Sequence, residues 1–325
     1  MIEQGGMERL GAGAPWGEAA RFLEDVRAGL SDSRKAIPPK WLYDERGCRL
    51  YELITELPEY YLSRTEARIL DACAGEIADA VGPGALVFEY GAGTARKTVR
   101  LLAALVDPVA YLPVEMARPA LAAALEGVRR RFPGLPVRPV CADFSGPFAL
   151  PADDLPAARR LAFFPGSTIG NFEPPEAVEV LRRMAAHAGP GGALVVGVDL
   201  VKDGATLVRA YDDSRGVTAA FDLNLIARVD RELDGDLRLS TFRHRALWDA
   251  GRGRVEMHLE SIEAQVVHVA GAPYRFRRGE TIHTESSYKW EPRAFDAIAA
   301  IAGWRHERTW MDDRAWFAVR LYSVA

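Results

Sequence analysis

The sequence predicts an α/β fold in which a parallel, Rossmann-like sheet carries helices on both faces and is joined to a smaller α+β lobe. Three observations point there. Residues 86–98 (Leu-Val-Phe-Glu-Tyr-Gly-Ala-Gly-Thr-Ala-Arg-Lys-Thr) read as a buried strand that breaks at a glycine turn and restarts as a helix. Short apolar runs then alternate with helical spacing as far as residue 200. Beyond Asp199 the alternation gives way to about 90 residues of helix and longer strands before strand and helix return, which marks an inserted lobe.

Taken in order, residues 1–16 are glycine-rich and aperiodic and read as a flexible leader. Helical spacing covers 18–30, stops at Pro38-Pro39, and resumes over 49–55 and 63–80 around a Pro58-Glu59-Tyr60-Tyr61 turn. The first strand starts at 86 and the second spans 110–115. A third buried run covers 137–142, a fourth 161–164 and a fifth 193–199. A helix follows over 218–233, then strands over 238–247 and 254–269. In the latter Val255, Met257 and Leu259 alternate with Glu256, His258 and Glu260, so Met257 faces the apolar side. The chain closes with a helix over 294–302 and two strands around 311–314.

The glycine turn admits three ligand classes. A dinucleotide fingerprint needs glycine at 96, where Arg96 stands. A phosphate loop matches at Gly91, Lys97 and Thr98 but fails at the same arginine. The looser acid-x-G-x-G turn of S-adenosylmethionine enzymes fits Glu89, Gly91 and Gly93 without a defect, and the motif favours it. Downstream, Glu115 ends the second strand 24 positions after Gly91, near the interval of about 20 at which a carboxylate meets ribose hydroxyls. Asp143 and Phe144 follow the third run, offering an acceptor for an adenine amine and a ring beside the base. Ligands of open α/β sheets bind outside the carboxyl ends of the strands, so three acids ending three successive strands, Glu89, Glu115 and Asp143, mark a cofactor rim.

Composition narrows the function. The chain has 325 residues, 49% of them hydrophobic, and a net charge of −4 without a basic stripe, which disfavours nucleic acid as the main partner. No apolar run approaches the roughly 20 residues that span a bilayer, so a cytoplasmic protein without a membrane partner is expected. Three cysteines and six histidines show no ligand spacing, and no metal is expected. Lysine is rare among the 41 basic residues, and Lys97, Lys202 and Lys289 all lie beside motifs.

Longer segments carry a family resemblance. Leu57-Pro-Glu-Tyr-Tyr-Leu-Ser-Arg-Thr-Glu66, Phe164-Pro-Gly-Ser-Thr-Ile-Gly-Asn171, Gly197-Val-Asp-Leu-Val-Lys-Asp203, Ala210-Tyr-Asp-Asp213, Glu256-Met-His-Leu259 and Gly279-Glu-Thr-Ile-His-Thr-Glu-Ser-Ser-Tyr-Lys289 resemble the histidine-specific Nα-methyltransferases of ergothioneine biosynthesis. The resemblance covers residues 20–325. It implies a class I methyltransferase sheet over 65–200 and 289–325, and a substrate lobe over 17–64 and 201–288. It also implies three methyl transfers from S-adenosylmethionine to the α-amine of L-histidine, giving hercynine, with a monomer as the expected state.

By the same resemblance Gly91, Lys97, Glu115, Asp143 and Phe144 hold the cofactor, beside Glu89 and Gly93 of the turn. Asn171 and Tyr211 bind the substrate carboxylate, Glu285 and Ser287 read the imidazole, and Tyr61, Gly166, Thr168 and Met257 line the pocket. Asn171, Tyr61 and Thr168 stand nearest the chemistry. Departures from the family pattern are Glu115 in place of an Asp, Tyr90 before the turn, and Ser286 in place of an Asn. Methyl transfer needs an amine lone pair in line with the departing sulfur, so positioning supplies most of the rate and no nucleophilic side chain is required. The amine sheds a proton at each transfer, toward a polar acceptor or water near Thr168 and Asn171. The ring face of Tyr61 suits the growing methylated cation. Taken singly, the same tyrosines and Met257 also fit plain packing, and Glu285 beside His283 also fits a surface pair. The competing readings are a methyltransferase for another amino acid such as tryptophan, a nucleotide-binding switch, and a catalytically silent cofactor-binding scaffold.

Overall fold

The computed structural model describes residues 15–152 and 154–325. The expected leader up to residue 14 lies outside the described residues. Among these, helices and strands run α1 (Pro15–Ser31), α2 (Glu45–Thr55), α3 (Tyr61–Val81), β1 (Ala85–Tyr90), α4 (Arg96–Ala104), β2 (Ala110–Val114), α5 (Arg118–Arg131), β3 (Arg159–Phe164), α6 (Pro174–Ala188) and β4 (Ala193–Asp199). The order continues with α7 (Gly204–Tyr211), α8 (Val217–Glu232), β5 (Phe242–Asp249), β6 (Arg254–Ser261), β7 (Gln265–Val269), β8 (Ala272–Phe276), β9 (Thr281–Tyr288), α9 (Pro292–Ile301), β10 (Trp304–Met311) and β11 (Phe317–Val324). They pack as two compact units. One takes residues 62–201 and 288–325, the other the described residues up to 61 with 202–287.

The first unit is a six-stranded sheet in the order β10-β11-β4-β3-β1-β2. Strands β1 to β4 pair in parallel, and β11 and β10 add antiparallel to the β4 edge. The strands are rich in apolar residues because helices cover both faces, and every residue of β1, β2 and β4 is buried. Phe88, Tyr90, Leu112, Phe164, Leu194 and Trp304 belong to one continuous core. The strand order reverses at β1, between β2 and β3, which opens a crevice at the carboxyl ends of these three strands.

One expected strand is absent. Residues 137–142 are half-buried or exposed and pair with β2 through two isolated bridges, Tyr111 with Val137 and Val114 with Val140, with the Arg138 and Val140 N–H groups donating to the Tyr111 and Pro113 carbonyls. Pro113 of β2 has no N–H to give the Arg138 carbonyl, so the ladder is interrupted between those two bonds.

The second unit holds α1, α2, α7 and α8 around a sheet ordered β5-β6-β9 and a separate β7-β8 ribbon. Asp44 caps α2 by accepting the Gly47 N–H at 2.7 Å, which moves its start ahead of residue 49 to Glu45. Asp203 caps α7 through the Thr206 N–H at 2.8 Å. The expected strand over 254–269 is two strands. The Ser261 hydroxyl bonds the Glu263 carbonyl at 2.9 Å and the Ile262 N–H turns to the Thr241 carbonyl, so the ladder stops and β7 pairs elsewhere. The run over 238–247 likewise opens as a tight turn, Leu239–Thr241, before β5 begins. No helix among the described residues is long and apolar enough to cross a membrane.

Candidate active site

At the crevice of the first unit the chain reverses on glycine. Gly91 and Gly93 have φ of 68° and 50°, a conformation that a side chain disfavours, and the Gly91 N–H bonds the Val114 carbonyl at 2.9 Å. A Cβ at Gly91 would touch the Phe144 ring at 3.5 Å and the Thr168 methyl at 3.8 Å, so these groups crowd one spot. Phe144 is fixed by Tyr90 and Phe164, whose ring centroids lie 5.5 and 6.0 Å away. Glu115 sits just past β2 and ties two turns, accepting the Gly93 N–H at 3.2 Å and the Ala117 N–H at 2.9 Å. Burial raises its carboxyl above the usual range although these donors pull it down. Asp143 accepts the Ser145 N–H at 3.0 Å.

Glu89 departs from the expected rim. It is 1% exposed and its carboxylate takes hydrogen bonds from the Thr98 and Tyr111 hydroxyls, bracing the turn from beneath. Burial pushes it up to about 8 from 4.5. Side chains of a parallel strand alternate between two covered faces, and the penultimate residue of β1 points into one of them.

The loop after β3 is held from three sides. Buried Glu66 accepts the Gly166 N–H at 2.8 and 2.9 Å and pairs with the Lys97 ammonium. Gly197 leaves room for it, since a Cβ there would lie 2.0 Å from Glu66 Oε1. The Ser167 hydroxyl accepts the Asp199 N–H at 3.0 Å, and Asp199 forms a fully buried ion pair with Lys289 at 2.9 Å. Thr168 donates to the Pro165 carbonyl at 3.0 Å, and Asn171 ends the tight turn Thr168–Asn171. Gly170 has a Tyr288 carbonyl 2.7 Å from where a Cβ would stand, which fixes that turn against the end of β9. Gly166, Thr168 and Asn171 therefore share a unit with the glycine turn, Lys97, Glu115, Asp143 and Phe144.

Tyr61, Tyr211, Met257, Glu285 and Ser287 belong to the second unit. Glu285 and Ser287 are two positions apart on β9 and so share a face, at 9% and 3% exposure. The Ser287 hydroxyl lies 2.8 Å from the Tyr211 hydroxyl. Met257 is buried, and its carbonyl takes the Thr284 hydroxyl at 3.1 Å. Glu285 is buried rather than at the surface, and the His283 ring bonds the Ser286 hydroxyl at 2.9 Å. The Lys202 ammonium donates to the Tyr61 hydroxyl at 2.7 Å and lies 4.7 Å from its ring centroid, so a cation already leans on that ring.

Sequence reasoning missed several participants. Tyr43 reaches toward Glu285 with its hydroxyl 3.5 Å from Oε1, at the long limit of a hydrogen bond. Its ring joins Tyr51 and Phe221 at 5.7 and 5.4 Å, and Tyr60 meets Tyr211 edge-on at 5.9 Å. Glu66 closes one of the motif segments, and its partners stand 31 and 100 positions away, so its role leaves no local mark. No group of three or more metal-ligating side chains gathers among the described residues.

A family model described as "Histidine-specific methyltransferase, SAM-dependent" matches residues 22–324. A histidine N-alpha-methyltransferase of Mycolicibacterium smegmatis is 42% identical over 309 residues, covering 93% of this chain and 95% of that protein. One of Mycobacterium tuberculosis is 40% identical over 314 residues, covering 94% and 96%. Ergothioneine biosynthesis protein 1 of Neurospora crassa is 33% identical over 203 residues, which is 59% of this chain and 22% of that longer protein.

Proposed function

The chain belongs to the S-adenosylmethionine-dependent, histidine-specific methyltransferase family, and from that premise we propose that it transfers three methyl groups to the α-amino nitrogen of L-histidine, giving hercynine for ergothioneine biosynthesis. The observation that carries the histidine reading is the buried pair Glu285 and Ser287 on one face of β9. A carboxylate accepts one imidazole N–H while a hydroxyl serves the other nitrogen, and an indole offers only one donor to such a pair. A pocket of buried polar groups rejects ligands that leave those groups unpaired.

Bound S-adenosylmethionine supplies an electrophilic methyl on a cationic sulfur. The first unit fits such a donor: a positive-φ glycine turn gives close backbone approach, and Glu115 keeps lone pairs beyond its two N–H bonds for ribose hydroxyls. Asp143 accepts from the adenine amine while Phe144 packs on the base, and Lys97, steered by Glu66, takes the donor carboxylate. Glu89 holds the turn rather than the ligand.

In the second unit Tyr211 is the group read as holding the histidine carboxylate, with Met257 beside the ring, and in the first unit Asn171 is the carboxylate candidate. In the second unit Tyr61 is the candidate lining for the amine; in the first unit Gly166 and Thr168 are the lining candidates, and Thr168 and Asn171 offer oxygens toward which its protons leave. Because Lys202 donates to it, the Tyr61 hydroxyl is left to use its own proton as a donor. The reading keeps a cytosolic enzyme working as a monomer.

Turnover of a panel of amino acids with S-adenosylmethionine, read by product mass, tests this. Histidine gains three methyls and tryptophan, tyrosine and histidinol gain none. Methylation of tryptophan at a comparable rate would overturn the assignment.

A further inference from the structure

We propose that His244 is a positioning residue, a buried imidazolium that ties Asp222 of α8 to the last carbonyl of α7 and thereby sets the Tyr211 hydroxyl against Ser287. The inference rests on the reading of Tyr211 as a carboxylate-binding group. His244 stands on β5 with its side chain 1% exposed, and that of Asp222 is 3% exposed. Its Nδ1 lies 2.7 Å from Asp222 Oδ2 and its Nε2 lies 2.8 Å from the Tyr211 carbonyl oxygen. A carbonyl has no proton to give, so Nε2 donates. An ionised carboxylate has none either, so Nδ1 also donates, and an imidazole with two donors is a cation.

The surroundings sustain that charge. Among the described residues His244 is the one hydrogen-bond donor to Asp222, whose other oxygen is buried without a partner. A neutral ring would strand a buried carboxylate. The cation also caps the C-terminal end of α7, where the helix dipole is negative. Burial by itself favours the neutral ring, but the hydrogen bond and charge of Asp222, the Tyr211 carbonyl and nearby Asp212 together raise its pKa above the ordinary value.

Positioning follows from where the bonds fall. Tyr211 is gripped at its carbonyl by His244, at its ring by Tyr60 and at its hydroxyl by Ser287. The other end of α7 rests on the same strand, since a Cβ at Gly204 would lie 2.9 Å from the Trp248 ring. With both ends fixed, α7 has little freedom to swing Tyr211 away.

The test uses the full chain labelled with ring-15N histidine, His244 being assigned by its loss in His244→Gln. Near neutral pH both ring nitrogens of His244 carry protons. In Asp222→Asn the amide donates to Nδ1, so the ring becomes neutral while Nε2–H keeps its hold on Tyr211. His244→Phe raises the histidine KM about ten-fold, the effect of one buried charged hydrogen bond, with the donor dissociation constant unchanged. His244→Gln, which keeps a donor, recovers part of the loss and stands in if the phenylalanine variant fails to fold. A neutral ring in the unaltered protein, or an unchanged histidine KM in both His244 variants while Tyr211→Phe raises it, overturns the proposal. An unchanged KM in Tyr211→Phe itself overturns the carboxylate reading on which it stands.

Discussion

Single residues divide between reading a ligand and holding the frame, and kinetics separates the two. Glu285→Ala is expected to raise the histidine KM far more than the donor dissociation constant, because it removes an imidazole acceptor. Asp143→Ala reverses the pattern, weakening the donor by about 1–3 kcal/mol through one lost acceptor while histidine saturation changes little. Titration calorimetry with S-adenosylhomocysteine, alongside steady-state rates, measures both. Equal losses in the two constants for either variant would contradict these roles.

Glu89 belongs to the frame and carries a pH signature. Its carboxyl is raised by burial from 4.5 to about 8, so the folded protein binds this proton more tightly than the unfolded chain. Its contribution to stability is whole below 4.5 and is lost as pH climbs toward about 8. Glu89→Gln removes that ionisation, so its unfolding midpoint falls less across this window than that of the unaltered protein, as thermal scans at several pH values record. The turn at Gly91 and Gly93 could be read from the sequence because a tight turn leaves a local mark. Glu89, Glu66 and His244 could not, since what decides their roles are partners such as Tyr111, Gly166 and Asp222, brought near only by folding.

At the scale of elements, the parallel strands were legible wherever both faces are covered, because such strands are apolar without interruption. Strand β4 spans the residues expected of it, Ala193–Asp199. The segment over 137–142 is apolar as a strand is and keeps the register of β2, but Pro113 of β2 has no N–H for the Arg138 carbonyl, so the pairing is reduced to isolated bridges. The break after Ser261 was hidden for another reason: the turn there is made by side-chain and backbone bonds rather than by glycine or proline.

Strand β4 also supplies an element-level prediction. Gly197→Ala drives a methyl against the Glu66 carboxylate, 2.0 Å from Oε1. The overpacking costs about 1–3 kcal/mol of stability and, by moving Glu66 from Gly166 and Lys97, weakens donor binding as well. Gly192→Ala meets Ala188 at 2.6 Å and is expected to cost stability alone. Thermal unfolding paired with donor affinity distinguishes them, and undisturbed donor affinity in Gly197→Ala would contradict the Glu66 to Lys97 link.

For the whole molecule, the chain builds one unit from its central strands and its last two, and another from its leading helices and the segment 202–287. Donor-binding candidates gather in the first and imidazole-reading candidates in the second. The alternating pattern revealed the sheet, and the loss of that pattern after Asp199 revealed the insertion. The substrate came only from long motif resemblance, now supported by 42% identity to a histidine N-alpha-methyltransferase across 93% of the chain. Physical reading of single residues was insufficient there, because a buried carboxylate beside a serine serves many purposes until its ligand is known.

The central claim is trimethylation at one nitrogen of one amino acid. Reaction with S-adenosylmethionine carrying a 13C-labelled methyl, followed by NMR of the product, tests it directly. The account predicts a single N-methyl resonance from three equivalent groups on the α-nitrogen of histidine, with the imidazole unlabelled. Label on a ring nitrogen, or a product that stops at one methyl with donor still in excess, would contradict it.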